Sequence, residues 1–98
     1  MFVVINFPMR IGFGYDSHVF ESGKPLVLGG VIIPECDGLK AHSDGDVLIH
    51  AVIDSLLGAA ALGDIGSHFP SDDPRWENAN SAVLLCSVMK EIDRKSVV

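Results

Sequence analysis

The chain has 98 residues, 48% of them hydrophobic and 20% charged, with 13 Asp and Glu against 7 Lys and Arg for a formal net charge of −6. That composition belongs to one soluble globular domain and excludes a disordered polyampholyte or a collagen-like fibre. The acidic balance and scattered cations lack the electrostatic footprint of a nucleic-acid or anionic-membrane binder, so an anionic ligand must be held by a metal, backbone N–H groups or local cations.

The first eight residues, Met1 to Pro8, are apolar but have no basic flank, and are too short for a signal peptide or a membrane span. They read as an extension ahead of a domain over residues 9–98, with Met9 a second candidate start. From Arg10 to Asp16 the residues alternate, Ile11, Phe13 and Tyr15 on one side and Gly12, Gly14 and Asp16 on the other. A period of two predicts a strand with one buried face. On its stripped face, two glycines beneath Asp16 and His18 leave space for a ligand. Leu26-Val-Leu and Val31-Ile-Ile flank Gly29-Gly30, a hairpin signal, and Asp37-Gly38 predicts a turn.

Between Asp46 and Leu62 the pattern becomes helical, with Leu48, Val52, Ser55, Leu56 and Ala59 as the expected core stripe. Ser43 and Asp44 supply capping chemistry, Asp46 suits the positive helix start, and Gly63 is the expected stop. Asp46, His50 and Asp54 recur every four residues on another face. Residues 63–79 form a long loop of the kind that is usually functional in a small domain. A second helix is expected from Asn80 or Ser81, turning Leu85, Val88 and Ile92 inward. Three short strands and two helices give an α+β fold, two layers with helices packed on one sheet face. They also leave a hydrophobic sheet edge unaccounted for, as in part of a domain or a chain that needs partners.

Asp16-x-His18 puts two metal-capable side chains on one side of an extended segment, and His50 joins them from the first turns of a helix. Asp/His/His is a ligand set that leaves a fourth position open, the pattern of a catalytic or ligand-binding zinc rather than a closed structural one. Spacing alone fits a plainer arrangement better, with His50 on the helix surface and Asp16 capping the next turn. His42 and Ser43 precede a helix start whose free N–H groups suit phosphate, although Asp44 and Asp46 already answer its dipole. Cys36 and Cys86 stand 50 positions apart outside any Cys-x-x-Cys motif and read as reduced packing residues in a cytosol. Trp76 also reads as packing and His68 as an exposed loop residue.

Five motifs occur in order: Arg10-Ile-Gly-Phe-Gly-Tyr-Asp-Ser-His18, Leu28-Gly-Gly-Val-Ile-Ile-Pro34, Ala41-His-Ser-Asp-Gly-Asp46, Leu56-Leu-Gly-Ala-Ala-Ala-Leu-Gly-Asp-Ile-Gly66 and Phe69-Pro-Ser-Asp-Asp-Pro74. Together they resemble the N-terminal part of the 2-C-methyl-D-erythritol 2,4-cyclodiphosphate synthase family of non-mevalonate isoprenoid biosynthesis, from about Arg10 to Ile92. The resemblance implies zinc on Asp16, His18 and His50, with Ser17 beside them in substrate binding. It implies transition-state stabilisation by His42 with Ser43 as its substrate-binding neighbour. Asp64, Ile65 and Gly66 match the segment that holds the nucleotide ribose, and Phe69, Pro70, Ser71, Asp72 and Asp73 the loop lining the methylerythritol pocket. It further implies a mixed sheet, a homotrimer, a small-molecule cytidine diphosphate substrate and release of CMP; the lack of a recognisable transit peptide points to a cytoplasmic location, with a plastid as the alternative. In the family, later strands carry cytosine recognition, a catalytic threonine and an acidic ligand for a second cation, magnesium or manganese. Beside the enzyme stand a non-catalytic zinc- or nucleotide-binding remnant and a structural domain whose histidines only pack.

Overall fold

The computed structural model describes residues 9–96, so the extension expected over residues 1–8 lies outside the described residues. Two strands come first, β1 (Phe20–Leu28) and β2 (Val31–Leu39). They pair antiparallel with Leu28 opposite Val31, Val27 opposite Ile32 and Leu26 opposite Ile33. Gly29 and Gly30 form the expected two-residue turn with φ of 62° and 80°, the left-handed values that a hairpin turn matched to the strand twist requires. Beyond Pro25 the register shifts, and Asp37 and Gly38 pair across to Pro25 and Glu21 inside β2 instead of making a turn.

Helix α1 (Val47–Ala59) starts at Asp46, whose carboxylate accepts from Ile49 N. The same carboxylate takes Gly29 N at 2.9 Å and Gly30 N at 2.7 Å, so one buried side chain caps the helix and fastens the hairpin turn to it. Four residues on, His50 meets Asp16, and four further Asp54 Oδ1 accepts from Ile65 N at 2.7 Å. The row Asp46, His50, Asp54 thus ties three separate segments to α1.

The helix ends before the expected Leu62. Leu62 N donates to Leu57 O and Ala61 N to Gly58 O, a Schellman closure with Ala61 at φ 56° in the left-handed position. Gly63, the expected stop, stands two residues past that position.

Two short pieces break the long loop, α2 (Ile65–His68) and a 3₁₀ turn over Pro74–Trp76, before α3 (Ser81–Ser96) closes the described chain. The core joins Ile49, Ile53 and Leu57 of α1 to Leu84 and Val88 of α3. Val88 is therefore inward as expected, with Leu85 and Ile92 packed at the edge. The buried face of α1 lies one residue from the expected stripe, and Leu48 is 52% exposed. Apolar residues occupy most of this helix's circumference, so the period could not choose the face; contact with α3 does.

The largest correction falls on residues 10–16, which form no strand among the described residues; the fold there is α+β, with a two-stranded antiparallel sheet in place of a mixed one. Ile11, Phe13 and Tyr15 are 88%, 84% and 72% exposed. The stripped side is the packed one. A Cβ on Gly12 would lie 1.8 Å from Ser55 O, and one on Gly14 1.8 Å from Ala51 O. The glycines let this backbone lie directly on α1, so the space expected beside them is filled by the helix itself. No helix among the described residues is long and apolar enough to cross a membrane.

Candidate metal centre and cavity

The extended segment seated on α1 carries Asp16 and His18 to the place where His50 emerges from the helix. Asp16 Oδ2 lies 2.8 Å from His18 Nε2 and 3.1 Å from His50 Nδ1, and the three ligand atoms are all within 4.8 Å of one another. This is the one such group of His, Cys, Asp and Glu among the described residues. His50 is buried and Asp16 and His18 half-buried, so the plainer arrangement with His50 on the helix surface does not hold.

On its far side, His50 Nε2 is 2.8 Å from Ser81 Oγ and 3.1 Å from Ser43 Oγ. Ser81 Oγ makes a 2.5 Å bond to Asp44 Oδ1, and an ionised carboxylate can only accept. The serine's one proton therefore goes to Asp44, leaving its oxygen to accept from His50 Nε2–H. In the neutral ring, Nδ1 is then a lone pair facing the Asp16 carboxylate. Two acceptors 3.1 Å apart are what a bound cation, a metal ion or a second ring proton, would bridge. The donor set fits a divalent ion of borderline softness held by three protein ligands with a position left for a further one.

The trio opens into a cavity of about 520 Å³. Asp16, His18, His42, Ser43 and His50 form one wall, and Ile65, Gly66, Phe69, Pro70, Ser71 and Asp72 another. Of the other expected site residues, Ser17 faces a smaller apolar hollow against Phe20, Leu26 and Val47. Asp64 is exposed and caps α2 through Ser67 N at 2.9 Å. Asp73 turns its carboxylate to Arg75, with Arg75 Nη2 at 2.7 Å, while its carbonyl accepts from His42 Nε2 at 2.9 Å. Those Arg75 hydrogen bonds, the side-chain ones first and the backbone N–H second, hold the Asp73 carboxyl below its usual range; the guanidinium is raised in return.

Segment 41–43 is pinned from both sides. Lys24 Nζ donates to Ser43 O at 3.1 Å, and Asn78 N donates to His42 O at 2.7 Å. With Nε2–H committed to Asp73 O, His42 can donate to a phosphoryl oxygen through Nδ1 only as an imidazolium. At the start of α1, Asp46 already occupies Ile49 N.

Trp76 packs against the core as expected, but sequence reasoning missed that its ring also lines the cavity, in a T-shaped contact with Phe69, centroids 5.0 Å apart, beneath the Arg75 guanidinium. Its single-tryptophan context offered no motif. Ser81 and Asp44 were also missed as partners of His50, since only the fold brings residues 44, 50 and 81 together. His68 is half-buried rather than exposed and donates to Leu62 O at 2.7 Å. Cys36 and Cys86 are free thiols and both exposed, not packed.

Fold and site define a small α+β protein with a metal-capable carboxylate–histidine cluster at the mouth of a polar-rimmed cavity. The chain belongs to the YgbB family, whose model matches residues 9–98. It is 58% identical over 84 residues to the 2-C-methyl-D-erythritol 2,4-cyclodiphosphate synthase of Salinibacter ruber, an alignment covering 86% of this chain and 54% of that one. Among solved structures it resembles a 2C-methyl-D-erythritol-2,4-cyclodiphosphate synthase in a CDP-bound form, with TM-score 0.79, 50% identity, and 88% of this chain and 57% of the other covered. The bifunctional IspDF from Campylobacter jejuni matches with TM-score 0.83 and 48% identity over 90% of this chain and 24% of that one. The chain spans about half the length of the curated relatives it matches.

Proposed function

We propose that this chain carries the metal-binding part of a 2-C-methyl-D-erythritol 2,4-cyclodiphosphate synthase, a phosphorus–oxygen lyase. The reaction takes 4-diphosphocytidyl-2-C-methyl-D-erythritol 2-phosphate to the 2,4-cyclodiphosphate. An oxygen of the 2-phosphate bonds to the β-phosphorus, the bond from that phosphorus to the CMP oxygen breaks, and CMP leaves with the electron pair. The attacking group is part of the substrate, so no protein nucleophile is needed. What the protein must supply is folding of the substrate on itself and neutralisation of crowded phosphoryl oxygens.

The observation that carries this reading is the convergence of Asp16, His18 and His50 at the mouth of a cavity whose far wall is the Phe69–Asp72 loop. Zinc on that trio would supply Lewis-acid polarisation of a phosphoryl oxygen. His42, anchored through Asp73 O, is held where Nδ1 can face developing charge, and Ser43 lies beside it. Ile65 and Gly66, presented by the start of α2 with Asp64 as its cap, take the ribose. Phe69, Pro70, Ser71, Asp72 and Asp73 enclose the methylerythritol. Ser17, next to both ligands, joins substrate binding from the hairpin side. A second cation, magnesium or manganese, a homotrimeric assembly and a cytoplasmic location complete the proposal. The exposed row Ile11, Phe13 and Tyr15 supports assembly, and the two free thiols support a reducing compartment.

A second reading, a zinc- or nucleotide-binding role without turnover, is favoured by one observation: the Asp16, His18 and His50 trio can hold an ion by itself, whatever the rest of the cavity does. Zinc titration paired with a CMP-release assay, magnesium or manganese present, tests both. Saturable CMP release supports the synthase, zinc uptake without release supports the second reading, and absence of zinc uptake overturns both.

A further inference from the structure

We propose that Ser81 and Asp44 are positioning residues of the metal centre: they form a relay that fixes the tautomer of His50 and aims its Nδ1 at the ion. This rests on the metal reading above and goes beyond it, because neither residue belongs to the ligand set. Ser81 opens α3, 31 positions after His50, and is 0% exposed. Its Oγ lies 2.8 Å from His50 Nε2, and the same oxygen bonds Asp44 Oδ1. Asp44 is itself held in place. Its Oδ2 accepts from Ser81 N at 2.9 Å, its Oδ1 accepts from Asp46 N at 3.0 Å, and its own N donates to Ala79 O at 3.0 Å.

The direction of the relay follows from proton accounting. The carboxylate has no proton to give, so the serine hydroxyl donates to it and must accept from the ring. His50 then keeps its proton on Nε2, and the lone pair left on Nδ1 points at Asp16. Were Ser81 an alanine, Nε2–H would keep only Ser43 Oγ at 3.1 Å, and its link through a hydroxyl to the Asp44 carboxylate would be lost. The ring could then place its proton on Nδ1, where it would bond Asp16 and compete with the ion. A carboxylate behind the ring also raises the basicity of the ligating nitrogen, and losing such an outer partner typically weakens metal binding about 10- to 100-fold.

The test uses the 98-residue chain itself, with Ser81→Ala, Ser81→Thr and Asp44→Asn beside the wild type. Zinc affinity is measured by isothermal titration, and the His50 tautomer by two-bond proton–nitrogen correlation spectra of metal-free protein at mildly alkaline pH. We expect wild-type His50 to show Nε2–H alone. Ser81→Ala should mix the tautomers and weaken zinc binding by about 10-fold or more, while Ser81→Thr, which keeps the hydroxyl, restores both. Circular dichroism checks the fold. Should Ser81→Ala fail to fold, Asp44→Asn, similar in shape but uncharged, carries the same test with a change in the same direction. An unchanged tautomer together with unchanged zinc affinity in a folded variant overturns the relay. If the wild type takes up no zinc, the metal reading falls separately, and a wild-type His50 bearing Nδ1–H overturns the relay as well.

Discussion

Asp73, Arg75 and Trp76 make the edge of the cavity sensitive to acid. Arg75 holds the Asp73 carboxyl below its usual range. A carboxylate whose folded pKa is depressed contributes stability above its unfolded pKa and loses it as pH falls through the folded one. Acidification below the ordinary carboxylate range should therefore release the guanidinium from the Trp76 face. Trp76 is the chain's one tryptophan, so its emission reports the release directly. Arg75→Gln, which has no guanidinium to release, should lose the emission change; an identical profile there would place its cause elsewhere. At the same scale, His50→Ala should abolish zinc uptake. His42→Ala should leave zinc uptake unchanged, because the His42 ring is tied to Asp73 O and stands outside the ligand trio. Calorimetric titration of the two variants decides.

Among the elements, the segment over residues 10–18 depends on two glycines to deliver its ligands. A Cβ at position 14 would meet the α1 backbone at 1.8 Å, so neither a rotamer change nor a side-chain shift can absorb it. Gly14→Ala should lift the segment off α1, carry Asp16 away from His50 and weaken zinc binding. It should also cost about 1–3 kcal/mol of stability as an overpacking change. Urea denaturation and zinc titration read the two effects separately. The opposite change is expected at the end of α1, where Ala61 holds the left-handed position of a Schellman closure. Ala61→Gly should raise stability by roughly 0.5–1 kcal/mol, the balance between relieved left-handed strain and the greater chain entropy of glycine. A lower midpoint in urea would contradict it. Both positions show how far sequence reached. The alternation at 10–16 was legible, but its buried side was not, because glycine leaves no hydrophobic mark when it packs against a backbone. The end of α1 was assigned to Gly63 because glycine is the usual left-handed residue, whereas hydrogen bonds to Leu57 and Gly58 put alanine there.

For the whole molecule, the expected result is zinc uptake without cyclisation by the 98-residue chain alone, since its match spans 54% of the length of the Salinibacter ruber relative. A transition-state donor is worth about 3 kcal/mol and substrate orientation several more, so a chain tested with only part of the site should keep CMP release near background. Robust saturable release would show that these residues hold more of the catalytic machinery than proposed. The exposed apolar row Ile11, Phe13 and Tyr15, continued by Val19 and Phe20, should also drive self-association visible by sedimentation. Replacing the first three by threonine should reduce it while leaving the α1–α3 core intact; unchanged association would point to another surface.

What the sequence by itself determined is what neighbouring residues can encode. The Gly29–Gly30 turn and the two long helices were readable because turn angles and capping act over short stretches of chain, whereas the Asp16, His18, His50 set was legible only through the motifs' resemblance to a known family, since spacing alone fitted a plainer arrangement better. The tertiary structure alone decided which face of α1 is buried, since Ile49, Ile53 and Leu57 are inward only because α3 lies there. It also decided that Ile11, Phe13 and Tyr15 face outward, that the Asp46, His50, Asp54 row fastens three distant segments, and that Asp44 and Ser81 stand behind His50. The physical reason is the same in each case. A side chain's partner is chosen by packing between elements far apart in the chain, and an almost uniformly apolar helix or a run of glycines carries no local signal of which surface will meet it.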